Sequence, residues 1–201
     1  MSRFIESINV SSSGASLLSY HQRRVETTFQ FYGKFCTLDI AKIASSQKRV
    51  DSGVHKLRIV YDLEGGFEST LIPYTPLSIP SFQLVECPQI SYRLKKEDRR
   101  ELELTLQEIH PSQALITQNG LLTDSAFSNL VFLKKDSWYT PESFLLNGVQ
   151  RQYLLDEKRI QEVQIGINDL ASYTHFALIN ALNPLEDARR YSLDLILNLP
   201  R

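Results

Sequence analysis

With 201 residues, of which 42% are hydrophobic and 22% charged, the chain can bury one large core or two small ones, which excludes intrinsic disorder. A formal net charge of -1 gives no electrostatic reason to bind nucleic acid. No apolar run is long enough to cross a bilayer as a helix, so neither nucleic acid nor a membrane is an expected partner.

Phe4 to Val10 alternates as a strand, and Ser11-Ser12-Ser13-Gly14 supplies a turn. Ser19 suits an N-cap for a helix from about Tyr20 to Phe31, with Val25, Thr28, Phe29 and Tyr32 on one face and Gly33 at its end. His21, Arg23 and Arg24 crowd its first turn, where cations oppose the helix dipole. Either an anion satisfies at least one arginine there, or the two are solvated surface residues. Leu38 to Ala44 predicts a second helix. VHKLRIVY, from Val54 to Tyr61, predicts a strand with Lys56, Arg58 and Val60 on one side, and Glu64-Gly65-Gly66 turns the chain into another strand, Phe67 to Pro73. Arg58 is either an ordinary edge-strand charge or an inward arginine able to clamp a carboxylate in bidentate fashion.

The prolines of YTPLSIPSFQLVECP, Tyr74 to Pro88, exclude helix and predict an extended interdomain connection. A helix from Lys96 to Ile109 follows, stopped by His110-Pro111. Asn119-Gly120, between Ala114-Leu115-Ile116 and Leu121-Leu122-Thr123, is a strong hairpin signal. It places Asp124 at a strand end near Leu121, Leu122 and Phe127, where an ionised carboxylate needs pairing or hydrogen bonds. The alternative is an Asp in a turn, bonding local backbone through Asp124-Ser125. Strand continues to Phe132, Lys134 to Ser137 is a polar turn, and the short strand from Trp138 ends at Pro141. LLNGVQRQYLL, Leu145 to Leu155, is an apolar approach, a glycine and a helix start. Free N–H groups at such a start bind phosphate well, although many helices begin after a glycine with no ligand. Arg159 to Ile165 predicts a strand, Asn168-Asp169-Leu170 a short helix, and Phe176 to Ala181 a buried strand with a polar exit. Leu193 to Leu199 is apolar enough to pack on the body.

Cys36 and Cys87 stand far apart without metal-ligand spacing and read as small core residues of a protein in a reducing compartment. The N-terminal MSRFIESINV has no hydrophobic signal segment, so a soluble cytoplasmic protein is expected. His21, His55, His110 and His175 form no paired motif, and no metal site is expected. There is no G-x-G-x-x-G and no P-loop.

The order of the segments carries more than any one of them. HQRR, a mid-strand arginine, KKEDR, NGLLTDSAFSN, YTP with LLNGVQR, and LINALN together resemble the class IV aminotransferases. These are the fold-type IV pyridoxal 5'-phosphate (PLP) enzymes, which include branched-chain and D-amino-acid aminotransferases and 4-amino-4-deoxychorismate lyase. The resemblance covers nearly the whole chain. It implies an α/β (α+β) two-domain fold: a small α/β domain over residues 1–77, a linker over 78–91, and a larger domain with a barrel-like sheet over 92–201. It also implies a homodimer.

Residue by residue, the resemblance makes Lys95 the lysine that forms the Schiff base with the cofactor. Lys96 is its local rival, and Asp98 and Arg99, three and four positions after Lys95, favour the first. Asp124 stands where most members have a glutamate that pairs with the pyridine nitrogen, and keeps the ring an electron sink. Arg24 matches the phosphate-binding arginine. Gly148, Val149 and Gln150 match the phosphate-binding helix start, and Asn180 and Ala181 a third phosphate-side contact. Arg58 resembles a substrate-carboxylate residue. Lys96 and Arg99, with burial, are expected to depress the Lys95 pKa so that Lys95 can exchange its imine and move the α proton. SLLSYHQRR and LINALN resemble the lyase more than the aminotransferases, so release of pyruvate to give 4-aminobenzoate, a step of folate biosynthesis, is the expected activity. The alternatives are an aminotransferase for branched-chain or D-amino acids and a PLP-binding protein without efficient catalysis.

Overall fold

In the computed structural model, which describes residues 2–106, 109 and 111–200, the inward phase of Phe4, Glu6, Ile8 and Val10 decides how the first strand packs. All four are buried on one face of β1 (Phe4–Ser11). The chain divides into two units. The first comprises Met1–Pro76 together with Leu94–Asp98. Its antiparallel sheet has the order β2-β1-β3-β4, with β2 at Gly14–Ala15, β3 at His55–Tyr61 and β4 at Phe67–Pro73. The helix α1 (Leu18–Phe31) contributes Val25 and Phe29 to the core on the Phe4 and Ile8 side. A short helix, α2 (Ile40–Ser45), starts at Asp39, whose carboxylate accepts the Lys42 N–H at 2.9 Å.

Two details of α1 differ from expectation. The Ser16 N–H is still bonded to the Asn9 carbonyl, so the turn into the helix falls on Leu17, which adopts left-handed φ 54°. Ser19 therefore lies inside the helix rather than capping it. The buried stripe is His21, Val25, Thr28 and Phe29, one turn earlier than predicted, and Tyr32 is exposed.

The segment Leu94–Asp98 adds to the free edge of β1. The Ile5 N–H donates to the Lys95 carbonyl and the Glu97 N–H to the Arg3 carbonyl, both at 2.9 Å, with Phe4 bridged to Lys96. Backbone used in this way cannot be helical. The helix expected from Lys96 accordingly begins only at α3 (Arg100–Leu106). Its predicted stop at His110 lies outside the described residues, as do residues 107 and 108.

The second unit comprises Leu77–Arg93 and Arg99–Arg201. The proline-rich stretch is not merely a connection: it contains β5 (Phe82–Glu86), paired in parallel with β6 (Gln113–Gln118). Asn119 and Gly120, with φ 54° and 75°, form the turn into β7 (Leu121–Ser125), the geometry that a two-residue hairpin of this composition requires. Next come β8 (Asn129–Lys134), β9 (Ser137–Pro141), α4 (Val149–Asp156), β10 (Gln161–Val163), β11 (His175–Ile179) and β12 (Arg190–Ser192).

Strand β8 pairs with β7, β9 and β11, and β11 with β12. Beyond β12, Ile196 bridges Phe82 and the Leu197 N–H donates to the Phe82 carbonyl. The chain beyond β12 thus comes back against β5, in keeping with the barrel-like sheet expected of the larger domain. Phe82, Leu122, Phe132, Phe176 and Tyr191 share one core, with the Phe82 ring edge-on to Phe176 and Tyr191 at 4.8 Å. On the other face of β8 and β11, Val131, Ala177 and Ile179 pack with Leu154 of α4. Among the described residues no helix is long and apolar enough to cross a membrane, and no group of three or more His, Cys, Asp or Glu could hold a metal ion.

Candidate active site

In the first unit the predicted arginine Arg24 meets a carboxylate that the chain supplies itself. Glu6, on the inward face of β1, is fully buried, and its Oε1 accepts the Arg24 Nε–H at 2.8 Å while Oε2 accepts from Nη2. His21, one turn before Arg24 and also fully buried, lies with Nδ1 2.5 Å from Glu6 Oε2. Burial alone would raise the Glu6 pKa, but the Arg24 guanidinium and the His21 bond outweigh it and hold the carboxyl down at about 2. Burial lowers the pKa of His21, against the pull of Glu6, with Arg24 and Lys95 adding to the effect. A neutral His21 that donates from Nδ1 to ionised Glu6 leaves Nε2 as an acceptor, and this atom is buried with no hydrogen-bond partner. Lys95 is half-buried, whereas its rival Lys96 is exposed.

Arg58 projects from the other side of the same sheet. It is opposite Ser7 in the ladder, out of phase with Glu6, and its Nη2 donates to Glu97 Oε1 at 2.8 Å. Glu97 also pairs with Arg3 at 3.2 Å. The structure therefore joins Arg58 to the segment that carries Lys95, and does not group it with Arg24.

In the second unit Asp124, at the end of β7, is 5% exposed and accepts three hydrogen bonds. Oδ1 takes the Asn129 Nδ2–H at 2.7 Å, and Oδ2 takes the Leu145 and Leu146 N–H groups at 2.9 Å each. Burial is the largest influence on this carboxyl and pushes it up to about 6, against the three bonds and the more distant Arg151 charge. A carboxylate has about four lone-pair directions. Three are filled, none by a cation, so Asp124 can accept one further, positively charged donor.

Asn129 links Asp124 to the predicted helix start, because its Nδ2 also donates to the Leu146 carbonyl at 2.8 Å. Its Oδ1 lies so close to Gly148 that a Cβ there would sit 2.0 Å away. Gly148 has an ordinary extended conformation, φ -67° and ψ 146°, so it is glycine because of Asn129 and not because of backbone strain. Val149 and Gln150 follow in the first turn of α4, both buried. Pairing of Ile179 with Asn129 brings the end of β11 to the same place, and Asn180 Nδ2 donates to Ser128 Oγ at 2.8 Å. Asp124, Gly148, Val149, Gln150, Asn180 and Ala181 are thus gathered around the start of β8, whereas Lys95, Arg24 and Arg58 belong to the first unit.

The family described as amino-transferase class IV matches residues 3–190. The chain belongs to that family. An uncharacterised protein of Haemophilus influenzae is 30% identical over 187 residues, covering 90% of this chain and 97% of that protein. A candidate 4-amino-4-deoxychorismate lyase from Haemophilus somnus is 33% identical, with a TM-score of 0.84 over 92% of this chain and 98% of that one. A hypothetical aminotransferase from Mycobacterium tuberculosis, in a PLP-bound form, has a TM-score of 0.74 at 15% identity, covering 99% of this chain and 83% of its own, and shares the fold.

Within this class IV chain, three residues at the candidate site have no role in the sequence reading. Glu6 was visible in principle, since an acid in the inward phase of an apolar strand demands a cation. Asn129 stood in the motif NGLLTDSAFSN without a partner being evident. Arg151, in the first turn of α4, is badly placed for the helix dipole and is buried against an acid, Glu162.

Proposed function

We propose that this class IV enzyme is a 4-amino-4-deoxychorismate lyase that uses PLP, releasing pyruvate and leaving 4-aminobenzoate, a precursor in folate biosynthesis. The observation that carries the cofactor reading is Asp124. A buried carboxylate held by three uncharged donors, with one acceptor direction left, fits a protonated ring nitrogen. Preference for the lyase over an aminotransferase rests on 33% identity to the Haemophilus somnus protein over almost all of its length, against 18% to a candidate amino-acid aminotransferase from Mesorhizobium loti.

PLP supplies an electron sink for the bond-breaking at the substrate's α carbon. Lys95 would hold the cofactor aldehyde and then take and return the α proton. Asp124 would keep the ring nitrogen protonated. Arg24, with Glu6 bound along one edge of its guanidinium, would meet the phosphate, as would the N–H groups of Val149 and Gln150 beyond Gly148 and the Asn180-Ala181 turn. Arg58 is assigned to the substrate carboxylate, in competition with its bond to Glu97. A homodimer in the cytoplasm completes the proposal, and light scattering on the eluted protein should give twice the 23.1 kDa chain mass.

The test is the visible spectrum of the full chain with PLP, beside Lys95→Ala. The wild type should show a lysine-bound cofactor band that borohydride fixes to Lys95, and the variant should not. The lyase then forms 4-aminobenzoate and pyruvate from 4-amino-4-deoxychorismate with no 2-oxo acid present. Conversion that requires a 2-oxo acid acceptor would make the protein an aminotransferase. A cofactor band without conversion of any amino substrate would make it a binding protein.

A further inference from the structure

Arg151 is 2% exposed, and its side-chain hydrogen bonds and ring contact among the described residues bear on one loop and the two strands beside it. Its Nη2 donates to the Pro141 carbonyl at 3.0 Å and to Glu162 Oε1, Nη1 donates to Asn147 Oδ1 at 3.3 Å, and the guanidinium lies 4.5 Å from the Phe144 ring centre. Pro141 ends β9, and Phe144 and Asn147 lie in the loop between β9 and α4. The same loop presents the Leu145 and Leu146 N–H groups to Asp124 and the Leu146 carbonyl to Asn129.

We propose that Arg151 is a positioning residue for Asp124: by clamping residues 141–147 it holds the two peptide N–H groups that fix the orientation of the Asp124 carboxylate. A planar fork suits this task because it can bind several acceptors at once, which a lysine cannot do. The groups against Asp124 are two peptide N–H donors and the neutral Asn129 amide, and the charge that acts on it among the described residues is that of Arg151. Glu162 is the acid against Arg151 itself. Loss of the clamp removes both the aligned donors and the ordered cation, and the two losses act in the same direction on the carboxyl.

The inference rests on the reading of Asp124 as the partner of the cofactor ring, but its test does not. The full chain, carrying 13C-labelled aspartate and no added PLP, is titrated by NMR from pH 4 to 8, with Asp124→Asn to identify the resonance. Arg151→Gln should raise the Asp124 midpoint by about one unit, a tenfold change in proton affinity. It should also speed hydrogen exchange at the Leu145 and Leu146 amides. Arg151→Lys, which keeps the charge and loses the fork, should show the same exchange effect with a smaller rise, and serves alone if the glutamine variant does not fold. A folded variant with lower thermal stability but an unmoved Asp124 midpoint and unchanged exchange would overturn the proposal, leaving Arg151 a structural residue only. Failure of the PLP reading would appear elsewhere, as a missing cofactor band in the Lys95 experiment.

Discussion

Gly148→Ala isolates the contact that joins the acid of the site to its helix. The backbone at Gly148 is in a region open to any residue, so the new methyl group matters only for what it strikes, the Asn129 amide oxygen at 2.0 Å. Relief requires the amide to move by more than an ångström, which breaks its bonds to Asp124 Oδ1 and to the Leu146 carbonyl. A hydrogen bond to a charged group is worth about 1.5–3 kcal/mol and a neutral one about 1 kcal/mol. Alanine in place of glycine at the N-cap adds about 1 kcal/mol. The expected loss is therefore about 3–5 kcal/mol, read by urea denaturation at pH 7. The same substitution in an Asn129→Ala background has nothing to strike and should cost only the N-cap term. Equal losses in the two backgrounds would refute this account of the glycine.

Glu6→Gln removes the buried carboxylate that pairs with the mostly buried Arg24 and should cost about 3–5 kcal/mol at neutral pH, while Glu6→Leu combined with Arg24→Met should cost less than either single change. Because the Glu6 pKa is depressed in the fold, its contribution is present above pH 4.5 and is lost as pH falls towards 2, so the deficit of the Gln variant should shrink across that window in acid unfolding curves. Asp124 has the opposite sign: its pKa is raised from 3.8 to about 6, so the fold loses stability as pH rises through that interval. Relative to Asp124→Asn, the wild type should lose about 2 kcal/mol between pH 4 and pH 7, measured by chemical denaturation at both. Gly120→Ala puts a side chain at φ 75° in the hairpin turn and should destabilise by about 1 kcal/mol or more, visible as a lower melting temperature, although nothing lies within 4 Å of the added atom.

What could be read in advance was what local chemistry dictates. Asn119-Gly120 specified its turn, and Leu121-Leu122 placed Asp124 at the strand end among apolar neighbours, where the structure has it hydrogen-bonded. The puzzle of cations in the first turn of α1 assumed a later start: with the helix beginning at Leu18, Arg23 and Arg24 lie in its second turn, and it is the buried Glu6 rather than the helix dipole that makes Arg24 part of an ion pair. What could not be read depends on partners distant in sequence. Leu17 in the left-handed region follows from the hold of Asn9 on Ser16. The late start of α3 follows from the capture of residues 95–97 by β1, and β5 needs β6 beside it. Asn129 becomes interpretable only when Gly148, 19 positions later, is seen against its side chain.

The five residues Leu94–Asp98 give the first unit a seam: it is completed by chain that has already left it and will leave again. A gene cut after Pro76 would therefore encode a sheet whose β1 edge lacks its partners at Arg3 and Ile5, together with a site that lacks Lys95. The two units cannot be exchanged between relatives as whole cassettes, since the Lys95 segment of one is encoded inside the other. Any chimera must carry the Lys95 segment and its β1 edge from the same parent.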